Sequence, residues 1–117
     1  MKTTALKNHD GELIKIAWVA TSPLARFLGL MGRKEIPKEE AMVFPNCNSI
    51  HTFFMRFPID VVMVGKDGIV VEVIESMKPW RLLLPRWQAK HVIELKAGRA
   101  RDLGVVVGTQ LNCGGAW

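Results

Sequence analysis

Cysteine is scarce: Cys47 and Cys113 are the only two among 117 residues. Closed zinc sites use pairs of cysteines two to four residues apart, and no such pair occurs, so no metal is expected. Two cysteines so distant in sequence would join only in an oxidising compartment, and both are expected to be free thiols. The chain also lacks an apolar run near the roughly 20 residues that span a bilayer. Its opening, Met1-Lys-Thr-Thr-Ala-Leu-Lys-Asn8, has no apolar stretch of signal-peptide length. A soluble, cytoplasmic protein without a transmembrane segment is therefore expected. Gly65, Gly68, Gly98, Gly104 and Gly108 are turn glycines, and none makes a phosphate-binding loop between a strand and a helix. Repeats, low-complexity tracts and linkers are missing too, so residues 1–117 are expected to form one domain.

What is present is enough apolar residue for a core, 49% of the chain, without disulfide or metal staples. Sixteen Lys and Arg against eleven Asp and Glu give a net charge of +5, which favours anionic partners by long-range attraction but is compatible with many functions. Asn8-His-Asp-Gly11 has hairpin-turn chemistry, and Ile14, Ile16 and Trp18 alternate after it, so Glu12 to Ala20 is expected to be a strand. Ser22-Pro23 followed by Leu24, Phe27, Leu28, Met31 and Gly32 predicts a short amphipathic helix. Strands are expected at Ala41 to Phe44, Ile50 to Met55, Ile59 to Val64, Ile69 to Ile74 and His91 to Leu95. Turns fall at Phe57-Pro58 and Lys66-Asp-Gly68. Ala97 to Leu103 reads as a brief helical turn closed by Gly104, with extended runs at Val105 to Val107 and Gln110 to Cys113. The pattern predicts a mainly β fold with little α: a compact, barrel-like sheet of short strands with one or two short helices.

The chemistry concentrates in Cys47-Asn-Ser-Ile-His-Thr-Phe-Phe-Met-Arg-Phe-Pro-Ile-Asp60. Cys47 and His51 are the candidates for a nucleophile and its base, because an imidazole beside a thiol favours the attacking thiolate. Four residues apart, they meet only if the chain bends, since a strand would hold them roughly 13 Å apart. A buried cysteine beside a backbone-bonded histidine is the plainer reading. Arg56 and Asp60 flank Phe57-Pro58 and suit either an ion pair across the bend or an Arg fork on an anionic ligand that Asp60 orients. A second patch, Lys78-Pro-Trp-Arg-Leu-Leu-Leu-Pro-Arg-Trp-Gln-Ala-Lys90, has four basic residues and two tryptophans without an acid. That mixture suits phosphate contact, stacking or an anionic surface, although Trp with Leu also packs loops onto a sheet.

A resemblance emerges from Arg26-Phe-Leu-Gly-Leu-Met31 with Arg33, Ala41-Met-Val-Phe44, Phe54-Met55, Pro58-Ile-Asp60, Asp67-Gly68, Val92-Ile-Glu-Leu95, Ala97-Gly98, Gly104 and Gly108. Over about residues 12 to 113 this set resembles the domain of unknown function 192 family. The resemblance implies a mostly β, barrel-like domain, no assigned biochemical activity and no catalytic residue to carry over. Cys47 and His51 stand outside it as features of a subgroup.

The expected function is a small ligand- or protein-binding accessory module with its site around Cys47 to Asp60. Its candidate binding residues are Thr52, Met55, Arg56, Asp60, Trp80, Arg81 and Trp87, and no cofactor is expected. The partner is expected to be a small anionic ligand or a protein. The alternatives are a thiol-dependent hydrolase or transferase using Cys47 and His51, and a weak nucleic-acid or anionic-surface binder through residues 78–90, nucleic acid being the less favoured partner.

Overall fold

The computed structural model describes residues 2–22 and 33–117. The helix expected from Leu24, Phe27, Leu28 and Met31 lies outside the described residues. Among the described residues eight strands follow in chain order: β1 (Lys2–Asn8), β2 (Gly11–Val19), β3 (Glu40–Phe44), β4 (Ile50–His51), β5 (Ile59–Val64), β6 (Val70–Met77), β7 (Leu82–Leu83) and β8 (His91–Lys96). One helical turn, α1 (Arg99–Asp102), comes after β8. Six strands form a sheet in the order β1-β2-β3-β8-β5-β6, and β4 and β7 pair separately. Only β2 and β3 run parallel, which requires the long connection, residues 20–39, that separates them.

Local chemistry explains the two hairpins. The Asn8 side chain accepts hydrogen bonds from the amides of Asp10 (2.8 Å) and Gly11 (3.1 Å), closing the β1–β2 turn. At the β5–β6 turn Gly68 has φ 84°, and a Cβ there would fall 2.7 Å from the Leu111 carbonyl oxygen, so the turn requires glycine.

The three central strands β3, β8 and β5 are buried on both faces. Side-chain alternation sends Ala41, Val43, Val62, Val64, Ile93 and Leu95 to one core, which Leu111 and Cys113 from the C-terminal segment help to cover. Met42, Phe44, Val61, Met63 and Val92 face the other, which Ile50, Met55, Leu83 and Ala89 cover. Cys113 belongs to the first core and Cys47 packs against the second, so the two free thiols lie on opposite faces of the sheet.

Mainly β architecture with a short helix is what forms, but the sheet does not close into the expected barrel. β1 and β6 are its two edges. The segment after α1 joins both through isolated bridges, Lys7 with Asn112 and Ile69 with Gln110, rather than a continuous ladder. Gly108, with φ 96°, donates its amide to the Val70 carbonyl at 2.9 Å, and the segment's bonds to this edge continue only as far as Leu111 to Gly68. Two other extended runs are shorter than expected. Ile50 to Met55 is a strand only at Ile50–His51, because Phe54 adopts φ 65° and reverses the chain. Val105 to Val107 forms no strand; Val105 is buried while Val106 and Val107 are exposed.

Asp60 anchors this frame. β6 carries an extra residue opposite it, and at that bulge Ser76 has φ 51°. One carboxylate oxygen accepts the Ser76 amide and the other the Ala100 amide, both at 2.9 Å. Ala100 is the second residue of α1, and Gly98 before the helix has no side chain to cap it, so a carboxylate from β5 takes that role. Asp60→Ala should lower the unfolding free energy by about 2–4 kcal/mol, since buried amides lose their acceptors. Asp60→Asn, which keeps one acceptor, should fall in between. Urea denaturation checks this; a loss under about 1 kcal/mol in the alanine variant would show that the two contacts are not structural.

Candidate functional site

Thr52 joins the two chemically rich segments. Its amide donates to the Arg81 carbonyl at 2.8 Å, and its carbonyl accepts the Trp80 amide at 2.9 Å. Its hydroxyl donates to the Lys78 carbonyl at 2.7 Å and accepts the Arg81 amide at 2.8 Å. With the β4–β7 pairing, Ile50 to Leu83 and His51 to Leu82, these bonds make residues 50–55 and 78–83 one layer. Thr52 is itself fully buried, so it positions the layer and has no surface to offer a ligand.

The outer side of that layer is apolar and basic. Phe54 is 57% exposed, Trp80 56% and Trp87 94%, with Leu82 and Leu84 also exposed. Phe54 and Trp80 pack ring to ring at 4.7 Å, Phe53 lies 6.1 Å from Trp80, and His51 stacks on Phe53 at 5.1 Å. Phe54 and Trp80 have φ 65° and 63°, a backbone region that is a genuine outlier for bulky side chains. Strain of this kind persists where surrounding contacts impose it, and it concentrates at functional surfaces. Thr52 supplies the contacts, bonding the Trp80 amide directly and standing two residues before Phe54. Arg56, Lys78 and Arg81 are exposed in the same segments, which contain no acid outside Asp60. Arg86 differs, since its Nε is bonded to Glu72 at 2.9 Å.

The remaining expected site residues separate. Met55 is buried in the second core. Asp60 has no exposed surface and both of its oxygens are occupied, so the expected Arg56–Asp60 ion pair does not form; Arg56 points to solvent instead. The Cys47 thiol donates to the Ser49 carbonyl at 2.9 Å, and His51 Nδ1 accepts the Phe53 amide at 3.3 Å, so neither atom engages the other. His51→Ala should therefore leave the alkylation rate of Cys47 within about twofold in a Cys113→Ser background. A fall of about tenfold or more would establish the nucleophile–base pair.

Sequence reasoning missed Glu94. It lies on β8, between β3 and β5, opposite Met42 and Val61 in the two ladders, and is 3% exposed. Among the described residues its carboxyl has no hydrogen-bond or ion-pair partner, and burial raises its pKa from 4.5 to about 8. One signal was available: an acid within Val92-Ile-Glu-Leu95, on a strand whose neighbours cover both faces, has no solvent side. Besides Glu94 and Asp60, two titratable groups are buried among the described residues. His91 accepts the Asn46 amide on Nδ1 at 3.1 Å and stacks on Trp117 at 4.3 Å; burial, aided by Lys90, lowers its pKa. Burial pushes the Cys113 thiol up to about 11, which makes it core rather than chemistry. No group of three or more metal-ligating side chains occurs among the described residues.

Glu94 binds its proton more tightly when folded than when unfolded. Its contribution to stability is fully present below about pH 4.5 and is lost as pH rises through about 8. Glu94→Gln should remove a slope approaching about 1.4 kcal/mol per pH unit across that window and exceed the wild type at its upper end. Urea unfolding at about pH 5 and about pH 8 measures this; parallel pH profiles for the two proteins would exclude it.

Comparison with known proteins gives a consistent picture. A family model described as uncharacterized ACR, that of domain of unknown function 192, matches residues 5–113. A UPF0127 protein of Pyrococcus furiosus is 37% identical over 96 residues, covering 76% of this chain and 78% of the relative. One from Pyrococcus horikoshii is 39% identical over 100 residues, covering 80% and 84%. The crystal structure of a protein of unknown function from Novosphingobium aromaticivorans superposes with a TM-score of 0.80 at 23% identity, covering 94% of this chain and 83% of that one. At that identity the likeness concerns the fold alone.

Proposed function

The chain belongs to the domain of unknown function 192 family, and we propose that it acts as a binding module that docks an acidic protein partner on the layer formed by residues 50–58 and 78–87. One observation carries this reading: Phe54 and Trp80, both in left-handed backbone, contact each other and stand exposed, and Trp87, Leu82 and Leu84 are exposed in the same two segments, which carry no exposed acid. Aromatic and arginine side chains dominate the energetic centres of protein interfaces, and Trp80, Trp87 and Arg81 are of that kind. Arg56, Lys78 and Arg81 would steer an acidic partner and set its orientation. Met55 and Thr52 support the surface from beneath and make no contact with the partner, and Asp60, bonded to Ala100 on the other face of the sheet, makes none either.

Nothing in the arrangement of Cys47 and His51 favours a thiol enzyme over this reading. Membrane and nucleic acid are the competing anionic occupants. The described residues include no helix long and apolar enough to cross a bilayer.

Trp80→Ala and Arg81→Glu should each weaken capture of the partner from a native lysate by about 2 kcal/mol or more, roughly thirtyfold in Kd. Trp87→Ala should do the same while changing stability by no more than about 0.5 kcal/mol, because the side chain is almost fully exposed. Equal capture by variants with wild-type melting temperatures would remove the proposal. Capture abolished by nuclease and falling steeply with salt would replace it with nucleic-acid binding, and flotation with anionic vesicles alone would replace it with membrane docking.

A further inference from the structure

A second feature lies away from the aromatic layer, at the end of the sheet where β2 and β3 finish. Alternation along the β1–β2 hairpin puts Lys2, Thr4 and Val19 on the face that carries the first core, and Thr21, just beyond β2, lines the same pocket. Gly114 and Gly115, with φ 42° and 93°, run across that face, and Pro45 and Asn46 close the side. Together they line a surface pocket of about 420 Å³, open to solvent on one side, within the range of small-ligand sites. The cavity belongs to the fold itself. Backbone at Gly114 lies so close to the Thr4 hydroxyl that any side chain at 114 would collide with it. Asn46 is held in left-handed backbone, φ 56°, with its amide bonded to His91 Nδ1.

The lining is chemically one-sided, with one ammonium, Lys2, and no carboxylate. Among the described residues Lys2 has no ion-pair partner and the hydroxyls of Thr4 and Thr21 have no hydrogen-bond partner. An ammonium and two hydroxyls that can all donate call for a ligand that accepts.

We propose that this cavity binds a small ligand through an oxyanion, phosphate or carboxylate, held by the Lys2 ammonium and the Thr4 and Thr21 hydroxyls. Val19 and Pro45 provide an apolar wall, so the ligand carries a short apolar body beyond its charged end. The site is separate from the aromatic layer, and its occupant is a small molecule rather than a macromolecule.

Titration of the isotope-labelled chain with inorganic phosphate and, separately, with acetate, at constant ionic strength held by chloride, tests this through amide NMR shifts. Saturable shifts at Thr4, Thr21 and Gly114 are expected, weakened about tenfold or more in Lys2→Met and in Thr21→Val. Thr21 is exposed beyond the end of β2, so its substitution leaves the sheet intact and serves if the Lys2 variant is perturbed. Tighter binding of phosphate assigns a phosphorylated ligand, and tighter binding of acetate a carboxylic acid. Shifts that are absent with both anions, that chloride reproduces, or that persist unchanged in the Thr21 variant would overturn the site.

Discussion

Strands β3, β8 and β5 carry apolar side chains on both faces, and the rest of the molecule is organised by the need to cover them twice. A sheet with one solvated face needs a single cover, but here every residue of β5 is buried. The C-terminal segment supplies one cover through Leu111 and Cys113. Residues 46–58 and 78–90 supply the other through Ile50, Met55, Leu83 and Ala89. Where residues 46–58 and 78–90 run extended over the second core, inward residues alternate with outward ones. Leu83 goes in while Leu82 and Leu84 go out. The exposed aromatic layer is thus the reverse side of a packing solution.

Polar groups inside this frame divide by whether they are satisfied. Asp60 and Thr52 have their bonding capacity used by backbone amides and carbonyls of distant segments, so each fixes geometry at little desolvation cost. Glu94 is the opposite case, an apolar-walled carboxyl that remains protonated to a pKa of about 8. The cavity at the end of β1 and β2 is a third type, with donors near the surface that the protein itself does not use. Only the last two leave chemistry available after folding.

Much of the strand placement along the chain was legible because its causes are local. The Asn8 to Gly11 and Lys66 to Gly68 turns are written in side chains that bond or relieve their own backbone, and β5 is apolar except for Asp60 and runs up to a glycine. Failures came where distant residues decide. Ile50 to Met55 has strand composition, yet Thr52 is captured by residues 78–81 and Phe54 is forced left-handed. Asp60 beside Arg56 invites an ion pair, yet Ser76 and Ala100 claim the carboxylate. Closure into a barrel was inferred from many short strands, but edge pairing depends on how far the last segment stays extended, and it meets the two edges only through isolated bridges.

The sequence alone determined the turns, the alternation of the long strands, the absence of paired cysteines and the grouping of aromatic with basic residues in two segments. These follow from neighbours within a few positions. Tertiary structure decided that the two segments form one layer, that Phe54, Trp80 and Trp87 face outward while Met55 and Asp60 do not, and that Glu94 is left without solvent. Hydrogen bonds such as those of Thr52 to residues 78, 80 and 81 link parts of the chain far apart in sequence, and no local pattern encodes which partner a buried polar group will find.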